Sequence, residues 1–204
     1  MILEHIIVGS MEVNCYLLGS ETSKDAVIID PGDDYPKIKK LLERLKLNPK
    51  FIINTHGHMD HIGADDKFNL PVYIHRLDAG CLINPEKNLS AMFGLAYSVK
   101  SVAWPLDDGK TINLENLNLE IIHTPGHTPG SICIKVNNIV FTGDTLFQGG
   151  IGRTDFPGAS ESNLFRSIRE KLLTLDDETI IYPGHGPNST IGQERKSNPF
   201  LIGI

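Results

Sequence analysis

Apolar residues recur along the chain at two spacings, which predict a mixture of strands and helices. In the first half, short apolar runs between turn residues predict strands at LEHIIVG (3–9), NCYLLGS (14–20), DAVIIDPG (25–32), PKFIIN (49–54) and PVYIH (71–75). In the second half, the same pattern predicts strands at LNLEIIH (117–123), SICIKV (131–136), NNIVF (137–141) and ETIIYPG (178–184).

Two segments carry the helical period instead. DYPKIKKLLERLK (34–46) presents one apolar face with lysine and arginine opposite, and that face carries Ile38, Leu41, Leu42 and Leu45. SESNLFRSIREKLLTL (160–175) predicts a helix that begins at Ser160, and a short helix is expected after His61. Residues 81–100 have no clear period and predict an irregular or partly helical excursion over the surface. Helices on both faces of a sheet would give a layered α/β architecture.

Four predicted strands end in the same way, with a small turn and then a histidine or an aspartate. They are FIINTH into His56, LEIIHTPGH into His127, NIVFTGD into Asp144 and TIIYPGH into His185. Glycine, proline and other turn formers allow tight turns where each strand leaves the sheet. Polar side chains carried at the ends of neighbouring strands can therefore converge on one rim.

The densest polar cluster is THGHMDHIG (55–63), which follows the strand at 49–54. In an extended segment His56, His58 and Asp60 share one side, and a helix beginning at Asp60 would turn His61 back towards them. The other donors are His127, Asp144 and His185. Zinc and iron prefer such a set of imidazoles and carboxylates. Seven donors exceed the needs of one tetrahedral ion but suit two ions that share a carboxylate, typically ~3.5–4 Å apart.

These motifs resemble those of the metallo-β-lactamase superfamily. THGHMDHIG is similar to its H-x-H-x-D-H signature, and the three later donors follow in the order that the superfamily uses. The resemblance covers essentially the whole chain. It implies an αββα sandwich of two mixed β-sheets face to face with helices outside, formed by a single domain over residues 1–204.

The resemblance also implies which residues bind metal. It assigns the first ion to His56, His58 and His127, the second to Asp60, His61 and His185, and the bridge to Asp144. The implied cofactors are two divalent ions per chain, zinc, iron or both. Asp30, in VIIDPG, matches a position that supports a ligand and does not itself bind the metal.

Within the superfamily, FTGDTLFQGGIGRTDFPG (141–158) most resembles the glyoxalase II group, which hydrolyses glutathione thioesters such as S-lactoylglutathione. Typical members carry a further helical domain that helps to hold glutathione, for which this chain leaves no room, so it resembles the short bacterial and archaeal relatives. The group's lysine and tyrosine in this loop are replaced by Arg153 and Asp155. Arg153 could bind a carboxylate of glutathione or form a buried ion pair with Asp155, and the sequence leaves both open.

The implied reaction is hydrolysis of a thioester by a hydroxide shared between the two ions. Two dications lower the pKa of a shared water towards neutrality, and one of them polarises the thioester carbonyl. Fixed positive charge stabilises the developing oxyanion and thiolate. Asp60 is expected to orient the hydroxide in addition to binding metal, and no serine or cysteine nucleophile is needed.

Other functions remain open at this level. A persulfide dioxygenase of the same superfamily shares a G-R-T-D-F stretch and uses one iron, held by residues that match His56, His127 and Asp144. The proline of DFPG and the short chain favour the hydrolase. A β-lactamase is disfavoured by the lack of an export signal, and an RNA-processing nuclease by the acidic charge. A non-catalytic metal-binding module would not need the open coordination positions that seven ligands around two ions leave.

Composition and charge restrict the partners. Lysine and arginine number 19 against 25 acidic residues, so the net charge is 19 − 25 = −6, which disfavours nucleic acid. The start of the chain does not have the positive charge of a signal peptide, and no apolar run is long enough to span a membrane. We therefore expect a cytoplasmic protein that acts on a small-molecule thioester without binding a membrane. The oligomeric state stays open.

The remaining histidines and the cysteines have simpler interpretations. A lone histidine is most often structural, and we interpret His5, His75 and His123 in this way. The cysteines are odd in number, far apart and set among apolar neighbours: Cys15, Cys81 and Cys133. That pattern predicts reduced, mostly buried thiols.

Overall fold

The computed structural model describes residues 1–203, and within that range the chain forms two six-stranded β-sheets. The strands of the first sheet, in spatial order, are β1 (Ile2–Val8), β2 (Val13–Gly19), β3 (Asp25–Ile29), β4 (Asn48–Ile53), β5 (Val72–His75) and β6 (Ala103–Leu106). The pairs from β1 to β3 are antiparallel, and those from β3 to β6 are parallel. The sheet is therefore mixed.

The second sheet is also mixed. Its strands are β7 (Thr111–Leu114), β8 (Leu117–His123), β9 (Ile132–Val136), β10 (Ile139–Gly143), β13 (Ile180–Pro183) and β14 (Ser189–Thr190), in the spatial order β14-β13-β10-β9-β8-β7. Only β10 and β13 pair in parallel among these described strands. Strands β11 (Leu146–Phe147) and β12 (Gly150–Ile151) form a short separate ribbon after β10.

Helices cover the outer faces of the sheets. They are α1 (Tyr35–Leu45), α2 (Met59–Ile62), α3 (Asp65–Phe68), α4 (Glu161–Ser167) and α5 (Ile191–Ser197). The Ser160 hydroxyl accepts a hydrogen bond from the Asn163 N–H at the start of α4, as the sequence predicts, and the helix continues as a π turn over Ile168–Leu172. None of the helices in residues 1–203 combines the length and apolar character needed to cross a membrane.

The period of two along the strands produces three apolar layers. On β2, Cys15 and Leu17 pack outwards against α1, whereas Tyr16 and Leu18 face the other sheet. The layer between the sheets also contains Phe141 of the second sheet. The second outer layer is formed by Cys133, Val140, Leu164, Ile168, Leu172 and Ile191. The predicted αββα sandwich is therefore confirmed.

Three of the strands that the sequence did not predict lie at sheet edges, and the other two are the short ribbon of β11 and β12. β6 and β7 are the outermost strands of their sheets, and β14 is the other edge of the second sheet. An edge strand is partly exposed, so its apolar pattern is weak; Pro105 is tolerated in β6 for the same reason. Helix α5 was missed because its sequence is largely charged and it buries few residues, among them Ile191 and Glu194.

The topology brings the candidate ligands to one rim. Strands β3, β4 and β5 run in parallel, so the loops that follow them leave from the same edge of the first sheet. Strands β8, β10 and β13 likewise share a direction in the second sheet. Gly32 allows the loop after β3 to approach α2 closely, since a Cβ at Gly32 would overlap the backbone oxygen of Asp60.

Candidate metal centre

Three imidazoles converge at the seam between the sheets. The Nε2 atom of His56 lies 3.1 Å from Nδ1 of His58, which lies 3.0 Å from Nε2 of His127. His127 donates its Nδ1–H to the Arg153 carbonyl at 2.8 Å, so its Nε2 carries a lone pair. The structure therefore directs several nitrogen lone pairs at one point.

A second group of donor side chains, Asp60, His61 and His185, lies beside the first group, which consists of His56, His58 and His127. The Oδ2 atom of Asp60 is 3.4 Å from Nε2 of His185 and 3.8 Å from Nε2 of His61. Helix α2 begins at Met59, one residue before the predicted position, and its single turn carries Asp60 and His61. The expected helical turn therefore brings His61 to the same side as Asp60.

Asp144 lies between the two groups. Its Oδ1 is 3.5 Å from Nε2 of His61, and its Oδ2 is 3.6 Å from Nε2 of His185 and 3.7 Å from Nε2 of His127. In the described chain, donor atoms within 4.8 Å of one another form three sets: His56, His58 and His127; His56, His61 and Asp144; and Asp60, His61 and His185. The structure thus brings all seven predicted donors together.

Two buried atoms of this cluster indicate that the residues fit metal ions. Within the described chain, Nε2 of His61 and Oδ1 of Asp144 are buried and have no hydrogen-bond partner. Buried polar atoms in proteins are nearly always satisfied. A cation at these atoms would satisfy both, and imidazole nitrogen with carboxylate oxygen is the donor chemistry of zinc and iron sites.

The electrostatics differ between the two groups. Burial, reinforced by the neighbouring imidazoles, holds the pKa of His56 well below its ordinary value, and burial together with His127 lowers the pKa of His58 to about 3. Both side chains are therefore neutral near pH 7, and the neutral imidazole is the form that binds metal.

The second group attracts positive charge. Burial opposes the charged form of His61, but the carboxylates of Asp60, Asp144 and Asp30 outweigh it and raise the pKa of His61 to about 10. Burial likewise opposes protonation of His185, yet its hydrogen bond to Asp60 and the charge of Asp144 raise its pKa. A field that stabilises a proton on these nitrogens also stabilises a metal cation there.

The buried carboxylate of Asp30 orients two of the imidazoles without belonging to any donor set. Its Oδ2 lies 2.9 Å from Nδ1 of His61 and accepts the Thr55 hydroxyl at 2.6 Å. Nδ1 of His56 lies 3.3 Å from that hydroxyl, so the chain of bonds leaves Nε2 of His56 unprotonated. Asp30 adopts a left-handed conformation with φ of 52°. This geometry suits the supporting role that the resemblance implies.

Asp78 is a positioning residue that the sequence analysis missed. Its fully buried carboxylate accepts the Gly57 N–H at 3.0 Å, the Thr128 hydroxyl at 2.7 Å and the Gly130 N–H at 2.7 Å. It therefore joins the turn between His56 and His58 to the turn that carries His127. Asp78 follows β5 after a short turn, so the strand-turn-polar pattern was present in PVYIHRLD and could have identified it.

The loop that carries His185 is held by the opposite sheet. On β2, the Asn14 side-chain amide donates to the carbonyls of Pro183 at 3.0 Å and Gly186 at 2.7 Å. The Tyr16 hydroxyl donates to the Pro183 carbonyl at 2.6 Å. The position of His185 therefore depends on contact between the two sheets, which no local sequence pattern reveals.

Arg153 lies at the mouth of the site. Its guanidinium donates two hydrogen bonds to Asp155, from Nε at 3.0 Å and from Nη2 at 2.7 Å, and it lies 4.4 Å from the centre of the Phe156 ring. The ion pair with Asp155, one of the two alternatives that the sequence left open, therefore forms, but it is not buried, because both side chains are about two-thirds exposed. Arg153 still lines the cavity over the metal centre.

The other histidines and the cysteines lie outside the donor sets. His75 and His123 stack face to face with their ring centres 4.0 Å apart, and His5 is exposed beside Tyr16. The cysteines, which are Cys15, Cys81 and Cys133, are buried free thiols, as the sequence predicts.

Comparisons with known proteins agree with this geometry. The sequence profile described as the Metallo-beta-lactamase superfamily matches residues 8–185. The chain is 41% identical over 209 residues to a Haemophilus influenzae protein named hydroxyacylglutathione hydrolase GloC, with 98% of each chain covered.

Two solved structures are similar over their whole length. The structure of BLEG-1 B3 metallo-beta-lactamase matches with a TM-score of 0.94 at 38% identity, covering 99% of this chain and 100% of that one. A di-iron-bound form of TTHA1623 matches with a TM-score of 0.85 at 38% identity, covering 97% and 100%. The sandwich fold is shared, and one neighbour binds iron.

The position of Asp144 between the two groups predicts how metal content responds to substitution. Asp144→Ala should lose both ions, whereas His185→Ala should keep one, because His185 contacts only the second group. Elemental analysis of purified protein measures ions per chain, with His5→Ala as a control that removes an exposed histidine outside the cluster. Loss of a single ion in both variants would contradict the assignment.

The bonds of Asp78 predict a separate effect on metal affinity. Asp78→Asn leaves one of its three donors without an acceptor, so we expect it to lower the free energy of unfolding by about 1–3 kcal/mol. Affinity for the first ion should fall about 10–100-fold, because the His56 and His127 turns lose their common anchor. A chelator competition measures this affinity.

Asp66→Asn is the matched control for this experiment. Asp66 also accepts backbone N–H groups, from Lys100 and Ser101, but it contacts neither ligand turn. It should lose stability without losing metal affinity. Equal affinities for metal in the two variants would show that Asp78 contributes to folding only.

Proposed function

The chain belongs to the metallo-beta-lactamase superfamily, and on that basis we propose that it is a binuclear metal-dependent hydrolase that cleaves thioesters of the S-lactoylglutathione type. The main support is the convergence of seven imidazole and carboxylate donors, with Asp144 between the two groups. Five of the seven line one cavity: His58, Asp60, His127, Asp144 and His185. Similarity to a protein named hydroxyacylglutathione hydrolase supports the thioester as substrate.

The proposed ligands are those that the resemblance implies. His56, His58 and His127 would hold one ion, Asp60, His61 and His185 the other, and Asp144 both. Zinc and iron each suit this donor set. Bound ions would supply Lewis acidity for the carbonyl and a water of lowered pKa as the nucleophile.

Asp60 is the residue that we assign to orient the attacking water. Burial alone would raise its pKa, but His61 and His185 outweigh burial and hold the pKa of Asp60 well below its ordinary value, so the carboxylate is ionised. It also lines the cavity, where it can accept a hydrogen bond from water. Water adds its oxygen to the acyl carbon and the carbon–sulfur bond breaks. One proton of the water is transferred to the leaving sulfur to give the thiol, and the acyl group leaves as a carboxylic acid.

Arg153 is the residue that we assign to the thiol half of the substrate. Its guanidinium lies on the cavity wall, where it can contact a carboxylate. Asp155 competes for the same guanidinium, so binding of a charged thiol such as glutathione should be weak. We expect measurable hydrolysis of S-lactoylglutathione with poor saturation.

Similarity to BLEG-1 B3 metallo-beta-lactamase makes β-lactam hydrolysis a second candidate activity. The same donor set and cavity would serve attack on a lactam carbonyl. The persulfide dioxygenase alternative would use a single iron at His56, His127 and Asp144, and it predicts a different stoichiometry and a need for oxygen.

The decisive assay compares substrates on one preparation. Zinc-loaded and iron-loaded protein are each incubated with S-lactoylglutathione, with a β-lactam, and with glutathione persulfide under oxygen. We expect thiol release from S-lactoylglutathione, a rate that rises with pH as the bound water ionises, and close to two ions per chain by elemental analysis. Oxygen consumption without thioester cleavage, or cleavage of the β-lactam alone, would overturn the proposal.

Substitution at Arg153 tests the substrate contact. Arg153→Ala should raise KM for S-lactoylglutathione about two- to fivefold with little change in kcat, since an exposed ion pair contributes ~0–1 kcal/mol. Asp155→Ala is the matched control, because it frees the guanidinium and should lower KM. Thermal unfolding should be unchanged in both variants. A large loss of stability in Arg153→Ala with KM unaltered would show that the ion pair with Asp155 stabilises the loop and does not contact the substrate.

A further inference from the structure

The cavity over the metal centre has a largely apolar wall. It measures about 460 Å³, and its floor includes His58, His127, Asp144 and His185. Its apolar lining includes Met11, Met59, Met92, Phe93, Phe147 and Phe156. Methionine and phenylalanine make a surface that accommodates varied apolar groups and offers no hydrogen bonds from the side chains.

Two of these rings flank the metal centre directly. The Phe156 ring lies 5.5 Å from the His58 ring and 6.0 Å from the His127 ring, beside the first donor group. The Phe147 ring lies 6.3 Å from the His185 ring, beside the second group. A substrate whose carbonyl reaches the centre would therefore place its remaining groups against aromatic surface.

The outer rim exposes apolar side chains on an ordered segment. Met92 is 67% exposed and Phe93 is 58% exposed, and both lie on the 3₁₀ turn Ser90–Phe93. Adjacent Leu95 is 50% exposed. Large apolar side chains that are exposed next to one another at the mouth of a cavity are a feature of binding sites.

Buried polar residues hold this rim in place. The fully buried Asn88 side chain donates to the Cys81 and Tyr97 carbonyls at 2.9 and 3.1 Å and accepts the Ser90 N–H at 3.0 Å. The Asn88 carbonyl accepts the Met59 N–H at 2.9 Å, which ties the rim to α2 and its ligands. The exposed apolar side chains therefore lie on a segment whose backbone is held in place by hydrogen bonds.

The cavity offers little to a charged thiol. Glutathione carries two carboxylates and an ammonium, yet among the described residues that line the cavity Arg153 is the only lysine or arginine. Its guanidinium is already engaged by both oxygens of Asp155. A charged peptide thiol would lose solvation against the apolar wall without gaining matching partners.

We infer that the site selects thioesters that carry an apolar aryl or alkyl group over thioesters of a charged peptide thiol such as glutathione. The inference rests on the proposed hydrolase function and specifies its substrate class. Burial of the apolar group against Met92, Phe93 and Phe156 supplies the binding free energy. The ions that the seven donors would hold would polarise the same carbonyl in either case.

The test uses two thioesters with the same acyl group. S-benzyl thioacetate and S-acetylglutathione both give acetate and a thiol, so the organic group on sulfur is the main difference between them. We expect kcat/KM of the zinc-loaded or iron-loaded protein to favour the benzyl compound roughly tenfold, after correction for the uncatalysed rates. The preference should arise mainly from a lower KM for S-benzyl thioacetate.

A matched pair of variants tests whether the cavity wall causes the preference for the benzyl thioester. Phe93→Ala should lower kcat/KM for S-benzyl thioacetate about fivefold and should lower that for S-acetylglutathione by less. Phe200→Ala, which truncates a phenylalanine that is 52% exposed and not part of the cavity, should change neither value. Because both side chains are exposed, both variants should fold.

A binding measurement separates this inference from the hydrolase proposal. Calorimetry on the metal-loaded protein compares benzyl mercaptan with glutathione, and we expect the former to bind at least fivefold more tightly through a contact that Phe93→Ala weakens. That result without any thioester cleavage would support the apolar site and overturn the hydrolase. Preference for S-acetylglutathione, or glutathione binding as tightly as benzyl mercaptan, would overturn the inference and leave the hydrolase intact.

Discussion

The metal centre depends on hydrogen bonds that the loops after the strands donate to two buried carboxylates. Asp30 fixes the ring of His61 directly and that of His56 through Thr55. Asp78 joins the turns that carry His56 and His127. Both carboxylates accept several donors, so neither is left buried without partners. The proposed ligands are thus oriented by groups that bind no metal themselves.

The position of the centre at the seam couples metal binding to the packing of the sandwich. His56 and His61 follow a strand of the first sheet, whereas Asp144 and His185 follow strands of the second. The proposed ligands of the two sheets meet only when Tyr16 and its neighbours pack against the core of the opposite sheet. Metal ions held across this seam would stabilise the folded chain, because the unfolded chain presents no such site.

The metal donors and the apolar wall of the cavity come from different parts of the chain. The donors lie on short turns after regular strands, whereas part of the cavity wall is formed by Met92 and Phe93 of the irregular segment around Ser90–Phe93. A rim of this kind can change its side chains without moving the ligands. Such a separation is consistent with the general finding that one fold can host different functions.

Local patterns in the sequence predicted nine strands, two helices and the donor residues, because alternating apolar residues, a helical period and dense histidine spacing can each be read from a short segment. The resemblance to the superfamily implied the sandwich fold. Strands β6, β7 and β14 and helix α5 were not predictable, since partial exposure leaves little apolar period to detect. Only the tertiary structure decided that Asp78 joins two ligand turns, that Asn14 holds the His185 loop, and that Met92 and Phe93 line the cavity over the metal centre. Each of these contacts joins residues far apart in the chain, and such distances are set by how the sheets and loops pack together.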